Sequence, residues 1–208
     1  MPERKPAWLI PHGQPWEITD SRPIYDNSWI GVTEFSAVAP SGQEAPVYGL
    51  VRFKNLAVAV LPLHADGTVT LVGQHRLPHG DYAWEIPEGG VPLDEDPLEG
   101  AKRELREETG LLAREWRTVL PSLQLSNATT DERGIGYLAM DLEQGEMEPD
   151  ETEELAVVRA PFHELLHAAI QGWMPDLLTV AMLLRAHHMA VEGAFAPELA
   201  RLMLRPPA

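Results

Sequence analysis

The order of β-type and helical segments along this 208-residue chain predicts an α+β sandwich. Three observations carry that prediction. The first ninety or so residues are rich in β-formers broken by turn residues. After Asp96 the apolar spacing becomes helical, and strands then alternate with proline-led helices. The length suits one compact domain or a domain with a small appendage. The composition break reads as an N-terminal β-sheet region over 1–54 and a main domain over 55–208.

Residues 1–15, rich in proline and basic side chains, read as a lead-in. Between 15 and 53, Pro23, Asp26-Asn27 and Pro40-Ser41-Gly42 separate short β-type runs such as 29–35 and 46–53, which predicts a small antiparallel sheet. Strands follow at 57–63 and 68–74, and the Ala65-Asp66-Gly67 turn between them signals a hairpin. A shorter strand over 82–86 ends at Pro87. Asp96-Pro97 supplies an N-cap acid and a first-turn proline, so 97–109 is a helix. Leu98, Ala101, Leu105 and Leu112 recur at helical spacing, and Gly110 marks the stop. Further strands are expected near 116–120, 136–141 and 155–159. Helices are expected from Pro161 to about 171, from Pro175 to about 191, and from Pro197.

Composition removes several functional classes. Apolar residues at 44% and charged residues at 23% are near globular averages and exclude general disorder. With no cysteine there are no disulfides, thiol nucleophiles or Cys-ligated metals. No apolar run is long enough to span a bilayer, and no signal-type stretch follows the N-terminus, so a cytoplasmic protein without a membrane partner is expected. A net charge of −16 repels phosphate backbones and argues against nucleic acid as a partner.

The acids are unevenly placed. Residues 85–108 hold nine carboxylates and 141–154 hold eight, together 17 of the 32 in the chain. At 100° per residue, Glu104, Glu107 and Glu108 share an arc of about 100° on the expected helix, beside the apolar flank of Ala101, Leu105 and Leu112. A helix chosen for stability alone does not stack like charges at i, i+3 and i+4. Three carboxylates at that spacing make a hard oxygen site suited to Mg²⁺ or Mn²⁺. The Glu88-Gly89-Gly90 turn upstream can bring the Glu88 backbone carbonyl toward the same ions.

Gly89, Glu95, Arg103, Glu104, Leu105, Glu107, Glu108, Gly110 and Leu111 fill every defined position of a pattern that resembles the Nudix box. Seven fixed residues at about 6% usage each give a chance match on the order of 10⁻⁹ per start position. The stretches Gln74-His75-Arg76, Trp84-Glu85-Ile86-Pro87-Glu88-Gly89 and Gln171-Gly172-Trp173-Met174-Pro175-Asp176 look like the ADP-ribose and nucleotide-sugar pyrophosphatase branch.

This resemblance implies a Nudix fold, with a mixed β-sheet between α-helices and a small N-terminal antiparallel sheet through which the branch commonly forms a homodimer. It implies a pyrophosphatase that cleaves ADP-ribose or a related nucleoside-diphosphate sugar to a nucleoside monophosphate and a sugar phosphate. One to three Mg²⁺ or Mn²⁺ ions would be held by Glu104, Glu107, Glu108 and the Glu88 carbonyl, with Gly89, Glu95, Arg103 and Gly110 shaping the box. The general base is expected in the acidic loop, at Glu153 before Glu151, unless a box residue such as Glu108 takes that role. Substrate contacts are expected from Arg76, Trp29, Tyr48, Arg52 and Glu132. The 126–132 stretch, Ser-Asn-Ala-Thr-Thr-Asp-Glu, departs from the branch's usual Ser-Pro-Gly, which leaves GDP-mannose, NADH, dinucleoside polyphosphates and nucleoside triphosphates as alternatives.

Two rivals belong to other classes. A nucleotide-binding protein without catalysis would be expected to lose box carboxylates, and these are intact. His163-Glu-Leu-Leu-His167 fits the zinc-protease pattern H-E-x-x-H, but it needs a third ligand, for which Glu192 is the nearest candidate.

Overall fold

The computed structural model describes residues 5–148 and 154–206. Two compact units emerge. One comprises the chain up to Lys54 together with Ala128–Asp131, and the other comprises Asn55–Asn127 with the chain from Glu132 onward.

The first unit is an antiparallel sheet of β1 (Glu17–Asp26), β2 (Ile30–Val38) and β3 (Glu44–Phe53), with β2 in the centre. Every residue of β1 is exposed, and Pro23 sits in it, as an edge strand permits. The 128–131 segment is tied to β3: Val51 N–H donates to the Thr129 carbonyl at 2.9 Å, and Phe53 N–H donates to Asp131 at 2.8 Å.

In the second unit β4 (Asn55–Pro62) is buried on both faces. Val58 and Val60 point into one core, with Ala101 and Leu105 of the first helix. Ala59 and Leu61 point into the other, with Phe162, Met182 and Leu183. This two-sided burial explains why β4 reads as an unbroken apolar run. The strand lies within a four-stranded mixed sheet, ordered β7 (Glu88–Pro92), β4, β9 (Arg133–Gln144), β8 (Leu111–Gln124), in which β4 and β9 run parallel. Helix α1 (Pro97–Thr109) packs on one face. Helices α2 (Phe162–Ile170), α3 (Leu177–Val191) and α4 (Pro197–Met203) supply the other core. A second sheet, ordered β10 (Ala156–Pro161), β5 (Thr68–Arg76), β6 (Asp81–Glu85), is antiparallel.

The helix boundaries follow the local chemistry. The Asp96 side chain accepts from the Leu98 and Glu99 N–H groups, and Gly110 ends α1 in the left-handed region at φ 71°. Asp176 caps α3 through the Thr179 N–H at 2.6 Å.

Three expectations need correction. The Asp66-Gly67 turn is present, but β4 and β5 share only a bridge between Leu63 and Val69 before parting into different sheets, because both edges of each strand are taken by other partners. The 88–92 stretch, expected as part of a turn, is β7, paired antiparallel with β4. Leu112 is half-exposed on β8 and does not extend the apolar face of α1.

One buried hydroxyl joins the helical layer to the turn between β6 and β7. Ile86 N–H donates to Thr179 Oγ1 at 3.0 Å, and both residues are fully buried. Thr179→Val keeps the side-chain volume and leaves that N–H unpaired. A stability loss of about 1–3 kcal/mol is expected in denaturant unfolding, and an unchanged midpoint would remove the bond from the fold's support.

Candidate active site

Helix α1 presents Glu104, Glu107 and Glu108 along one side, and Arg103 lies among them. Its guanidinium is 2.8 Å from Glu104 and 3.0 Å from Glu107. Glu108 is almost fully buried, and its Oε2 accepts the Glu88 N–H at 3.2 Å. Gly89 leaves room for the Glu104 carboxylate against β7: a Cβ there would fall 2.2 Å from the carboxyl carbon and push that side chain away. Glu95 sits in the turn before α1, where its N–H donates to the Pro92 carbonyl. The donors are hard oxygens throughout, and Gly89 keeps the approach to Glu104 clear, so these residues fit Mg²⁺ or Mn²⁺.

Beside the box lies a cavity of about 580 Å³, lined in part by Arg76, Tyr82, Glu85, Glu88 and Asp176. Arg76, at the end of β5, bridges two carboxylates, with Nη2 2.6 Å from Glu85 and 2.9 Å from Glu88. Glu85 is 1% exposed and also accepts from Gln74 Nε2 at 2.9 Å. Carboxylate oxygens of Glu85, Glu88 and Asp176 all lie within 4.8 Å of one another. Burial and the facing Asp176 and Glu85 carboxylates hold the Glu88 carboxyl well above the ordinary carboxylate range, and Arg76 opposes them only in part. Burial likewise raises Glu85, against the pull of Arg76.

Residues 53–180 match the NUDIX domain family. The chain belongs to that family. It is 34% identical over 143 residues to an ADP-ribose pyrophosphatase of Mycobacterium tuberculosis, covering 67% of this chain and 68% of the relative. A Bacillus subtilis ADP-ribose pyrophosphatase is 36% identical over 106 residues, 49% of this chain and 57% of the relative. The crystal structure of an ADP compounds hydrolase superposes with a TM-score of 0.72 at 21% identity, covering 89% of this chain and all of that one, and supports the fold. The expected Nudix fold and the expected Nudix-type pyrophosphatase of the ADP-ribose branch are therefore borne out.

The remaining expected residues of this Nudix chain are scattered. Trp29, Tyr48 and Arg52 belong to the first unit. Trp29 is 66% exposed in the turn before β2. The Tyr48 hydroxyl donates to the Ala128 carbonyl at 2.5 Å, and its ring lies 5.6 Å from that of Trp16. Arg52 stacks over Phe35 at 5.9 Å. Glu132, half-buried just before β9, has its carboxyl pushed up by burial. Glu151 and Glu153 lie outside the described residues.

Sequence reasoning missed the gathering of Glu85 and Asp176 around Glu88. The only signal was the Pro175-Asp176 helix start, and nothing local says that this cap faces residues some ninety positions earlier. His163 and His167 lie on α2, with the His167 ring edge-on to Trp173 at 5.7 Å. Glu192 pairs instead with His188, and among the described residues Glu85, Glu88 and Asp176 are the group of three whose ligand atoms already lie within 4.8 Å of one another.

The raised Glu88 acid gives a signed pH prediction. Above the ordinary carboxylate range the folded metal-free chain holds a proton that the unfolded chain has lost, so this group destabilises the fold as pH rises. Glu88→Gln removes that titration. In chelator-treated protein its melting temperature should gain on wild type progressively as pH rises above the ordinary carboxylate range. A gain that does not grow with pH would discard the assignment.

Proposed function

We propose that this Nudix pyrophosphatase is metal-dependent and hydrolyses ADP-ribose or a closely related nucleoside-diphosphate sugar. The products would be a nucleoside monophosphate and a sugar phosphate. The observation that carries the reading is the set of Glu104, Glu107 and Glu108 on one side of α1, joined by Arg103 and closed by the Glu88 N–H on Glu108. The two ADP-ribose pyrophosphatases among its relatives supply the substrate class.

Glu104, Glu107, Glu108 and the Glu88 carbonyl would hold the divalent cation. When bound, it would offset phosphate charge and make a water more acidic. Arg103 holds Glu104 and Glu107 apart from each other's charge and fixes their orientation. The hydrogen bond from the Glu88 N–H fixes the orientation of the buried Glu108 carboxyl group. The proton of the attacking water would pass to a carboxylate of the acidic loop, Glu153 in preference to Glu151, a role that rests on the family resemblance. Trp29, Tyr48, Arg52 and Glu132 are offered as nucleotide-side contacts on the same ground, with Arg76 toward the phosphates.

Glu107→Gln and Glu108→Gln should each lower turnover of ADP-ribose by about 100-fold or more while the circular dichroism spectrum holds. The assay is phosphatase-coupled phosphate release with Mg²⁺ or Mn²⁺ across ADP-ribose, GDP-mannose, NADH, dinucleoside polyphosphates and nucleoside triphosphates. Preference for a substrate outside the nucleoside-diphosphate sugars would move the protein to another branch of the family.

The first unit also supports a homodimer. It exposes Trp16 and Ile18 in a groove of about 210 Å³ whose walls include Phe35 and Leu50, and elsewhere it exposes Ile24, Tyr25 and Val47. An apolar face of this kind is a candidate interface. Light scattering should give twice the chain mass, and Ile18→Glu should return the monomer; a monomeric wild type ends the dimer proposal.

A further inference from the structure

The Arg76 cluster offers more oxygen charge than its one cation balances. Glu85, Glu88 and Asp176 bring three carboxylates together, and Arg76 supplies one positive charge among them. Two negative charges would remain if all three were ionised, the complement of one divalent ion. Glu88 Oε1 is taken by Arg76, whereas its buried Oε2 has no hydrogen-bond partner among the described residues. A buried carboxylate oxygen left empty is costly, and native structures rarely keep one without a ligand. The cavity of about 580 Å³ gives the site an entrance and room for waters.

We infer that Glu85, Glu88 and Asp176 form a divalent-cation site of their own, separate from the three box glutamates of α1. The geometry is close to what a hard ion requires. Oxygens at about 2.1 Å from an octahedral ion lie about 3.0–4.2 Å from one another. Those of the cluster already lie within 4.8 Å, so small side-chain rotations complete the set. Asp176 is anchored from behind, because its Oδ2 caps α3 at Thr179 N. Glu85 is anchored by Gln74 and Arg76. Water would fill the remaining positions, as Mg²⁺ and Mn²⁺ prefer.

Glu88 makes the two sites neighbours. Its backbone N–H is bonded to Glu108 of the box while its side chain belongs to the cluster. A cation held there would sit at the wall of the cavity and draw in an anionic group such as a phosphate. This inference goes beyond the proposed function and does not require it, since cation binding is read without substrate.

The test is Mn²⁺ binding followed by electron paramagnetic resonance in the full chain. Glu104→Gln with Glu107→Gln weakens the box and should leave one bound Mn²⁺. Adding Asp176→Asn, which preserves the helix cap, or Glu88→Gln should then weaken that ion about tenfold or more. Glu88→Gln decides the matter if Asp176→Asn fails to fold. Absence of Mn²⁺ from the box double variant overturns the site, as does unchanged affinity in the two added variants. Failure of the hydrolase reading would appear separately, in the activity of the wild type.

Discussion

Repulsion among carboxylates is the constraint around which the rest of the second unit is arranged. Glu85, Glu88, Glu104, Glu107 and Glu108 come from two segments that meet where β7 crosses α1, and Asp176 joins them from α3. Two arginines manage the crowding. Arg103 divides its charge between Glu104 and Glu107, and Arg76 divides its own between Glu85 and Glu88. The difference between them lies in burial. Arg103 and Glu107 are partly solvated, so their pairing contributes modestly. Glu85 is withdrawn from water, so loss of Arg76 would strand a buried charge at a cost of about 3–5 kcal/mol.

The fold around these groups is built for close approach. Gly89 lets the Glu104 carboxylate reach the β7 backbone, and Gly100 lets α1 settle onto Val91, whose methyl would lie 2.3 Å from an added Cβ. Together the two glycines set the height of the helix above the strand, and with it the distance of the glutamates from the Glu88 turn. Behind the turn, Thr179 holds Ile86 and Asp176 starts the same helix. Helix α3 therefore fixes the turn through one residue and contributes a carboxylate to it through another, three positions apart.

How much of this was legible in the sequence depends on how far apart in the chain the partners are. The box is local. Its glutamates share a helix whose cap, apolar flank and terminator lie within fifteen residues, and so 97–109 and its carboxylate face could be read directly. Strand β4 was equally plain, because burial on both faces leaves a continuous apolar run. Strand β8 was only partly visible, since it is an edge strand carrying Arg114, Glu115, Arg117 and Pro121, and its register shifts near that proline blur the alternation. Strand β7 was hidden by its two glycines, which read as a turn yet pair in register with Ala57 and Val58 of β4. The hairpin signal at Asp66-Gly67 was true of the turn and misleading about the pairing, because partner choice is decided by distant strands. Asp176 was legible as a cap, but nothing in its neighbourhood says that it faces Glu88.

The contrast between the two carboxylate sets has a consequence for how the molecule works. The box glutamates take their spacing from helical periodicity, so they keep that spacing whenever α1 forms. Glu85, Glu88 and Asp176 are brought together by tertiary packing, and that cluster exists only when α3 is docked against the β6–β7 turn. Any ligand that binds the assembled cluster and not the open one stabilises that docking, by an amount that grows with the logarithm of its concentration over its Kd. Glu88 is common to both sets, because its backbone N–H donates to Glu108 while its side chain lines the cavity.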